Sequence, residues 1–287
     1  MSEGQRLTAP AQPTIGVFDS GFGGLTVLRA LMARLPQARF AFLGDTARLP
    51  YGSKSRRTIA RYAVESARFL VDRQGAQFLV IACNTASALA LDAIQQAIPV
   101  PVLGVIEPGA TAARAASRSG DVMVIATAAT VESGAYSGAC QNHGLRAIEK
   151  ACPLLVPLVE EGWTNHPVTA SVIRIYLDEL NAAAEAQGLR PDTLVLGCTH
   201  YPLLRPLLER AVAPGVRVID SAEAAADSAV RIFNDRVASL PAADKGSVST
   251  PSIVRCFATD SVEKFERLGS RFLGRPVGEV ELIDLGG

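Results

Sequence analysis

Short apolar runs alternate along the chain with longer stretches whose apolar residues recur every three or four positions. Ile15–Phe18 is the first such run. Leu25, Leu28, Met32 and Leu35 then share one helical face, and Pro36 stops that helix. Phe40–Leu43 reads as a second strand, Arg56–Asp72 as a long amphipathic helix ended at Gly75, and Phe78–Ala82 as a third strand. A helix over Ala86–Ala97 and a strand over Val102–Val105 follow. A similar series then begins again. Asp121–Ala126 predicts a strand, a helix follows from about Val131, and Val168–Gln187 predicts a long helix. Thr193–Leu196 is the next strand, Pro202–Val212 a helix and Val216–Ile219 a strand. Near the C-terminus, Ile253–Ala258, a helix near Ser261–Phe272 and Val280–Leu285 complete the pattern.

Strands alternating with helices predict mainly parallel sheets with helices on both faces. The repetition predicts two such units. Ile15 to Val122 spans 122 − 15 = 107 positions, and Cys83 to Cys198 spans 198 − 83 = 115. The expected fold is therefore α/β, with two pseudo-symmetric doubly wound domains and an active-site cleft between them. The most economical division gives a discontinuous first domain, 14–106 plus 221–287, and a second domain, 107–220. Residues 1–13 are expected to be disordered. Leu240–Ser252, rich in Pro, Ala, Gly and Ser, is expected to be a surface loop.

Composition narrows the classes of function. With 28 basic and 28 acidic residues and a single Trp, the chain has no basic-aromatic stripe, so no nucleic-acid partner is expected. No apolar stretch is long enough to cross a bilayer, and the N-terminal residues lack the apolar core of a signal peptide. Five widely spaced cysteines do not form a disulfide framework and suit a reducing cytoplasm.

Two of those cysteines sit at matched places, each where an apolar strand run ends and a helix is expected to start. Cys83 follows Gln77-Phe-Leu-Val-Ile-Ala82, and Cys198 follows Asp192-Thr-Leu-Val-Leu-Gly197. In sheets of this kind ligands collect beyond the carboxyl ends of the strands. A thiol acts as its thiolate, and a helix N-terminus favours that form. The plainer account of any one cysteine is a small buried hydrophobe. That account is assigned to Cys140, Cys152 and Cys256; for two at matched positions it loses force.

Other polar residues share those loops. Asp19 ends the first strand and has two readings, a proton-handling carboxylate or a cap on the following helix. Gly21-Phe-Gly23-Gly-Leu-Thr26 approaches a dinucleotide fingerprint, with Asp45 downstream. The third glycine is replaced by Thr26, however, and Asp19 would crowd a pyrophosphate. His200, one of three histidines, lies two residues beyond Cys198 and is either an acid/base group or a polar loop residue. Cys83, Cys198, His200 and Asp19 could in principle hold Zn²⁺, but only Cys198 and His200 form a local ligand pair. No metal is expected. Tyr51-Gly52, after Pro50, reads as a turn.

Asp19-Ser-Gly-Phe-Gly-Gly24, Pro50-Tyr-Gly52, Cys83-Asn-Thr85 and Gly197-Cys-Thr-His-Tyr-Pro-Leu203 together closely resemble the bacterial glutamate racemases, in order and at suitable spacing. The resemblance implies a cofactor-independent isomerase that interconverts L- and D-glutamate and supplies D-glutamate for peptidoglycan. It matches Cys83 with the thiolate acting on D-glutamate and Cys198 with the one acting on L-glutamate. Asp19 and His200 match residues assisting the first and second cysteine, and Glu160 matches a glutamate near the second. Ser20, Tyr51, Gly52, Asn84, Thr85, Thr127, Thr130 and Thr199 match positions that hold the substrate, as Asp19 and His200 also do. Members of that family often form homodimers, and in some of them cell-wall precursors act as effectors. No residue pattern here speaks to either property.

The chemistry agrees with the resemblance. Inverting a stereocentre without a cofactor needs an acid and a base on opposite faces of one carbon, and a thiol serves as either. Three other readings stay open from sequence: an aspartate racemase, a thiol–disulfide protein using Cys83 and Cys198 as a redox pair, and a non-catalytic amino-acid-binding protein with a two-domain cleft.

Overall fold

The computed structural model of the chain describes residues 13–238 and 253–286. The expectations of disorder at the N-terminus and of a loop over 240–252 fall outside those residues, apart from Pro13. In chain order the first elements are β1 (Thr14–Asp19), α1 (Leu25–Arg34), β2 (Arg39–Gly44), α2 (Arg56–Arg68), β3 (Phe78–Ile81), α3 (Asn84–Leu89), α4 (Leu91–Ala97) and β4 (Val102–Gly104). Then come α5 (Ile106–Ala116), β5 (Asp121–Ala126), α6 (Ala128–Glu132), α7 (Ala135–Asn142), β6 (Arg146–Ala151), α8 (Leu155–Glu160) and α9 (Pro167–Ala186). The last are β7 (Thr193–Gly197), α10 (Arg205–Ala211), β8 (Arg217–Asp220), α11 (Ser221–Ala238), β9 (Val254–Ala258), α12 (Val262–Leu273) and β10 (Val280–Leu282).

The strands form two sheets, ordered β10-β9-β2-β1-β3-β4 and β6-β5-β7-β8. Every pairing is parallel. The repeat is visible in the order itself: β2-β1-β3-β4 recurs as β6-β5-β7-β8. Cys83 follows β3 and Cys198 follows β7, the equivalent strands. In both sheets the connections reverse direction at this pair of central strands, which is where α/β sheets open a crevice.

Period-two alternation explains how each sheet is covered twice. Ile15 and Val17 of β1 pack into one core with Leu28 of α1 and Phe265 of α12. Phe18 of the same strand points into another, with Ile59 and Ala63 of α2. In the second sheet Met123 and Ile125 meet Ile173 and Leu177 of α9, while Val122 and Val124 face Ala110 of α5 and Tyr136 of α7. Each such fully buried large side chain contributes roughly 1.5–3 kcal/mol.

Several elements differ from the sequence expectation. The helix expected over 86–97 is two helices meeting at Ala90, whose φ of −130° is not helical. The helix expected from Val131 is α6 and α7, divided at Gly134 with φ of +65°. The helix after Cys198 opens as a 3₁₀ turn over Tyr201–Leu204 and becomes α-helical only at Arg205. Pro202 lacks the amide that would bond the Cys198 carbonyl in an α-helix starting directly after Cys198, whereas Pro206 sits in the first turn of α10, where its missing donor is tolerated.

Candidate active site

Strand register sets which residues stand beside each thiol. Phe18 pairs with Ile81, so two residues further on Ser20 stands level with Cys83. The Cys83 thiol donates to Ser20 Oγ at 3.4 Å and accepts from the Ala86 amide at 3.4 Å, as the N-cap of α3. Ala126 pairs with Gly197, so Thr127 stands level with Cys198. Both thiols are buried, and neither is in a disulfide.

The surroundings of Cys83 do not lower its pKa. Burial dominates, and the nearby Asp19 carboxylate adds to it, so the thiol is pushed up to about 12 despite its hydrogen bonds to Ser20 and Ala86. The helix-terminus field expected from sequence is outweighed. For Cys198 the expected α-helix N-terminus is itself absent, because the 3₁₀ turn intervenes.

Asp19 is completely enclosed, and its Oδ2 accepts the Gly21 amide at 2.9 Å. Burial raises its pKa, opposed by the charge of His200 and by hydrogen bonding from the glycine loop. The carboxylate therefore caps the turn at Gly21 and also lies in the electrostatic field of Cys83; it does not line the cavity described below.

His200 is buried beside Cys198, with Nε2 3.2 Å from Glu160 Oε1. Burial alone would lower its pKa, but hydrogen bonds and charge from Cys198 and Glu160 outweigh that and raise it to about 10. Burial likewise opposes ionisation of Glu160, but its hydrogen bond to His200, with the charges of His200 and Lys264, holds that carboxyl below its ordinary value. His200 packs edge-on against Phe272, ring centroids 4.9 Å apart. A cation therefore stands beside the second thiol, and a carboxylate stands near the first.

Between the thiols lies a cavity of about 540 Å³. Ser20, Tyr51, Gly52, Cys83, Asn84, Thr85, Thr127, Glu160, Cys198, Thr199 and His200 all line it. Thr130 is buried one step behind: its hydroxyl bonds those of Thr127 at 2.9 Å and Thr85 at 3.2 Å, while Thr85 and Thr127 meet at 3.0 Å. This triangle joins α3 of one sheet to α6 of the other. Asn84 Oδ1 accepts the Tyr136 hydroxyl at 2.7 Å, which fixes the amide; its Nδ2 is buried without a hydrogen-bond partner. Tyr51 OH donates to buried Asp45, which also accepts from Thr259 at 2.9 Å, so the Tyr51-Gly52 turn is anchored from behind.

The glycine loop has a packing function. A Cβ on Gly24 would lie 2.5 Å from Asp19 Cβ, and one on Gly23 would lie 2.3 Å from Thr199 Oγ1. The loop is thus pressed against the segment that carries the second thiol, where a pyrophosphate would need to enter. Among the described residues no three His, Cys, Asp or Glu side chains converge to hold a metal ion, and no helix is long and apolar enough to cross a membrane.

Sequence reasoning missed several cavity residues. Pro153, Val156 and Pro157 form an apolar wall, and Lys264 reaches in from α12. Tyr136 was also missed. None lies near Cys83 or Cys198 in sequence, so no local motif marks them; an interior tyrosine in a short helix would have been the only cue to an oriented amide.

Two thiols, each at the end of an equivalent strand in one of two parallel sheets and facing one cavity, define a paired-cysteine α/β protein. The family model for Asp/Glu/hydantoin racemase matches residues 25–229, and the chain belongs to that family. It is similar to a glutamate racemase of Koribacter versatilis, 53% identical over 96% of this chain and 99% of the relative. Among solved structures it is similar to glutamate racemase from Francisella tularensis in complex with D-glutamate, with TM-score 0.82 and 33% identity over 96% of this chain and 98% of that one. It is also similar to glutamate racemase from Thermus thermophilus, with TM-score 0.81 and 41% identity over 97% and 99% of the two chains.

Proposed function

We propose that this protein is a glutamate racemase that moves the α-proton between Cys83 and Cys198 without a cofactor. The observation that carries the reading is that both thiols, delivered by equivalent strands of two sheets, open onto one cavity. Similarity to glutamate racemases across nearly the whole chain selects the substrate.

With L-glutamate bound, the Cys198 thiolate takes the α-proton as the Cys83 thiol gives its own proton to the opposite face. D-glutamate leaves, with Cys198 protonated and Cys83 ionised; the reverse reaction exchanges the roles. Burial keeps the proton on Cys83, and His200 is the counter-ion for charge on Cys198. Asp19 acts on the first thiol by accepting or returning its proton, its own negative charge favouring the protonated thiol, and Glu160 acts on the second through His200. Negative charge grows on the α-carboxylate as the proton leaves. The unpartnered Asn84 amide and the Ser20, Thr85, Thr127 and Thr199 hydroxyls are the donors for it. Tyr51 and Gly52 shape the remaining wall, and Thr130 holds Thr85 and Thr127 in place.

In this reading the chain divides into 14–106 plus 221–287 and 107–220, and closure of the two units excludes water from the carbanion-like transition state. The product serves peptidoglycan synthesis in the cytoplasm, and a homodimer is the assembly in which we place the chain. Incubation of the reduced protein with L-glutamate in deuterium oxide tests the reading: D-glutamate carrying α-deuterium is expected. Absence of both exchange and D-glutamate would overturn it, and faster turnover of aspartate would reassign the substrate.

A further inference from the structure

Glu160 is held on both oxygens. Its Oε1 meets His200 Nε2 at 3.2 Å, and its Oε2 lies 3.7 Å from Lys264 Nζ. The two cations come from different places. His200 follows β7 of the four-stranded sheet, whereas Lys264 is on α12, which packs against the six-stranded sheet through Phe265 and Phe272. Lys264 also lies over the Phe22 ring, 5.6 Å from its centroid, and Phe22 belongs to the glycine loop. One helical turn pair further along the same face of α12, the Arg271 guanidinium covers Gly162, where a Cβ would meet Nη1 at 2.7 Å. The end of α8 and its following turn are therefore gripped from across the cleft by two cations seven residues apart.

We propose that Lys264 is a positioning residue for the reaction: it fixes the Glu160 carboxylate toward His200 and so tunes the Cys198 side of the site from the opposite unit. This rests on the two-thiol racemase reading above. The argument is geometric. Glu160 is partly exposed at the cavity edge, with 21% of its side chain accessible. With only His200 as partner, the carboxylate is free to turn into water and leave the imidazolium unmatched in a buried setting. Lys264 removes that freedom, and only while α12 sits against α8. The tuning of Cys198 thereby becomes conditional on how the two units meet, while Cys83, whose partners Ser20, Ala86 and Asp19 all lie within one unit, stays independent of it.

The salt bridge alone is too exposed to matter much for stability, since 47% of the Lys264 side chain is accessible. Its effect should appear in turnover. Lys264→Met keeps the aliphatic stem over Phe22 and removes the charge. It is expected to lower kcat/KM about 3- to 30-fold, as the loss of one coupled charge contact does, with an unchanged melting temperature. Lys264→Arg is expected to recover most of the loss.

The deciding measurement is a double-mutant cycle with Glu160→Gln. If Lys264 acts through Glu160, Lys264→Met changes kcat/KM less than about twofold in the Glu160→Gln background. Full additivity of the two losses, or a rise in KM alone pointing to direct contact with a substrate carboxylate, would overturn the proposal. So would wild-type activity in Lys264→Met. Wild-type protein that fails to racemise glutamate would remove the racemase reading and this one together, so the two failures are told apart by the parent enzyme.

Discussion

Gly23 and Thr199 approach so closely that a Cβ on the glycine would lie 2.3 Å from the threonine hydroxyl. The same Cβ would lie 2.6 Å from His200 Nδ1. Thr26, the second residue of α1, adds a hydrogen bond to the Thr199 carbonyl at 3.3 Å. The loop that follows β1 of the six-stranded sheet is therefore the seat for the loop that carries Cys198 beyond the four-stranded sheet. Gly23 permits that contact, while Gly24 makes room for Asp19 and Ala82.

Gly23→Ala is accordingly expected to be worse than an ordinary loop substitution. The methyl group has to displace Thr199 or His200 in a packed site, a change that costs about 1–3 kcal/mol. Thermal unfolding should show the loss, and kcat/KM should fall more than stability alone explains, because both displaced side chains adjoin Cys198. A variant with parental melting temperature and activity would show that the loop has slack the structure does not reveal.

Much of this architecture was legible in the hydrophobic pattern, and the gaps have physical causes. Strands buried on both faces, such as Phe78–Ile81 and Thr193–Gly197, are unbroken apolar runs and stand out. β6 was invisible because it is an edge strand, Arg-Ala-Ile-Glu-Lys-Ala, in which only Ile148 is buried. α5 is hard to see in the pattern because it carries Pro108-Gly109, a pair common in turns. Pro108 occupies the first helical turn, where its missing donor costs nothing, and Gly109 makes room for Tyr136, whose ring would lie 3.2 Å from a Cβ. Likewise α8 contains Pro157 in its first turn. Of the site, the loops beside the thiols were recognisable as motifs. Lys264 and the apolar wall reach the cavity, and Tyr136 reaches Asn84 behind it, through tertiary packing alone.

Tyr136→Phe tests the orientation of Asn84. The hydroxyl holds Asn84 Oδ1 at 2.7 Å and leaves the amide nitrogen free for a ligand. Without it, a buried carbonyl oxygen is left unsatisfied, at a cost of about 1–3 kcal/mol, and the amide can flip. KM for glutamate is expected to rise and kcat to fall, with the fold intact by circular dichroism. Parental kinetics would mean that Asn84 does not need the tyrosine.

Replacing either thiol should affect both hands of the substrate alike. L- and D-glutamate are mirror images, so their equilibrium constant is one, and the two kcat/KM values of a racemase must be equal. Cys83→Ser and Cys198→Ser are each expected to lower kcat/KM by about 10²- to 10⁴-fold, the range for loss of a positioned acid or base, and by the same factor in both directions. Circular dichroism and enzymatic assay of each enantiomer would check it. Retention of full racemisation in either variant would exclude a two-thiol mechanism.

The protonation of His200 should be readable in stability as well as in rate. Its folded-state pKa is raised to about 10 from an ordinary 6.5, as the charge and hydrogen bonds of Cys198 and Glu160 overcome burial. The folded protein therefore binds this proton more tightly than the unfolded chain does. The resulting stabilisation is complete below pH 6.5 and is lost progressively as pH rises toward 10. Asp19 also faces the imidazole, and its charge couples to His200 in the same sense. The buried thiols Cys83, Cys140, Cys152 and Cys256, each pushed up to about 12 from 9.0, also remove stability with rising pH, but only above pH 9. The interval from pH 6.5 to 9 thus lies below those thiols, and the share of His200 is read from the difference between the parent and a His200 variant, since the raised Asp19 and Glu149 carboxyls are common to both. Urea unfolding across that interval is expected to show a decline of about 2–3 kcal/mol in the parent and a much flatter profile in His200→Asn. The comparison concerns slope, so any uniform loss from the substitution itself does not confuse it. Equal slopes in the two proteins would mean that His200 is already neutral in the folded state, and the cation placed beside Cys198 would have to be abandoned.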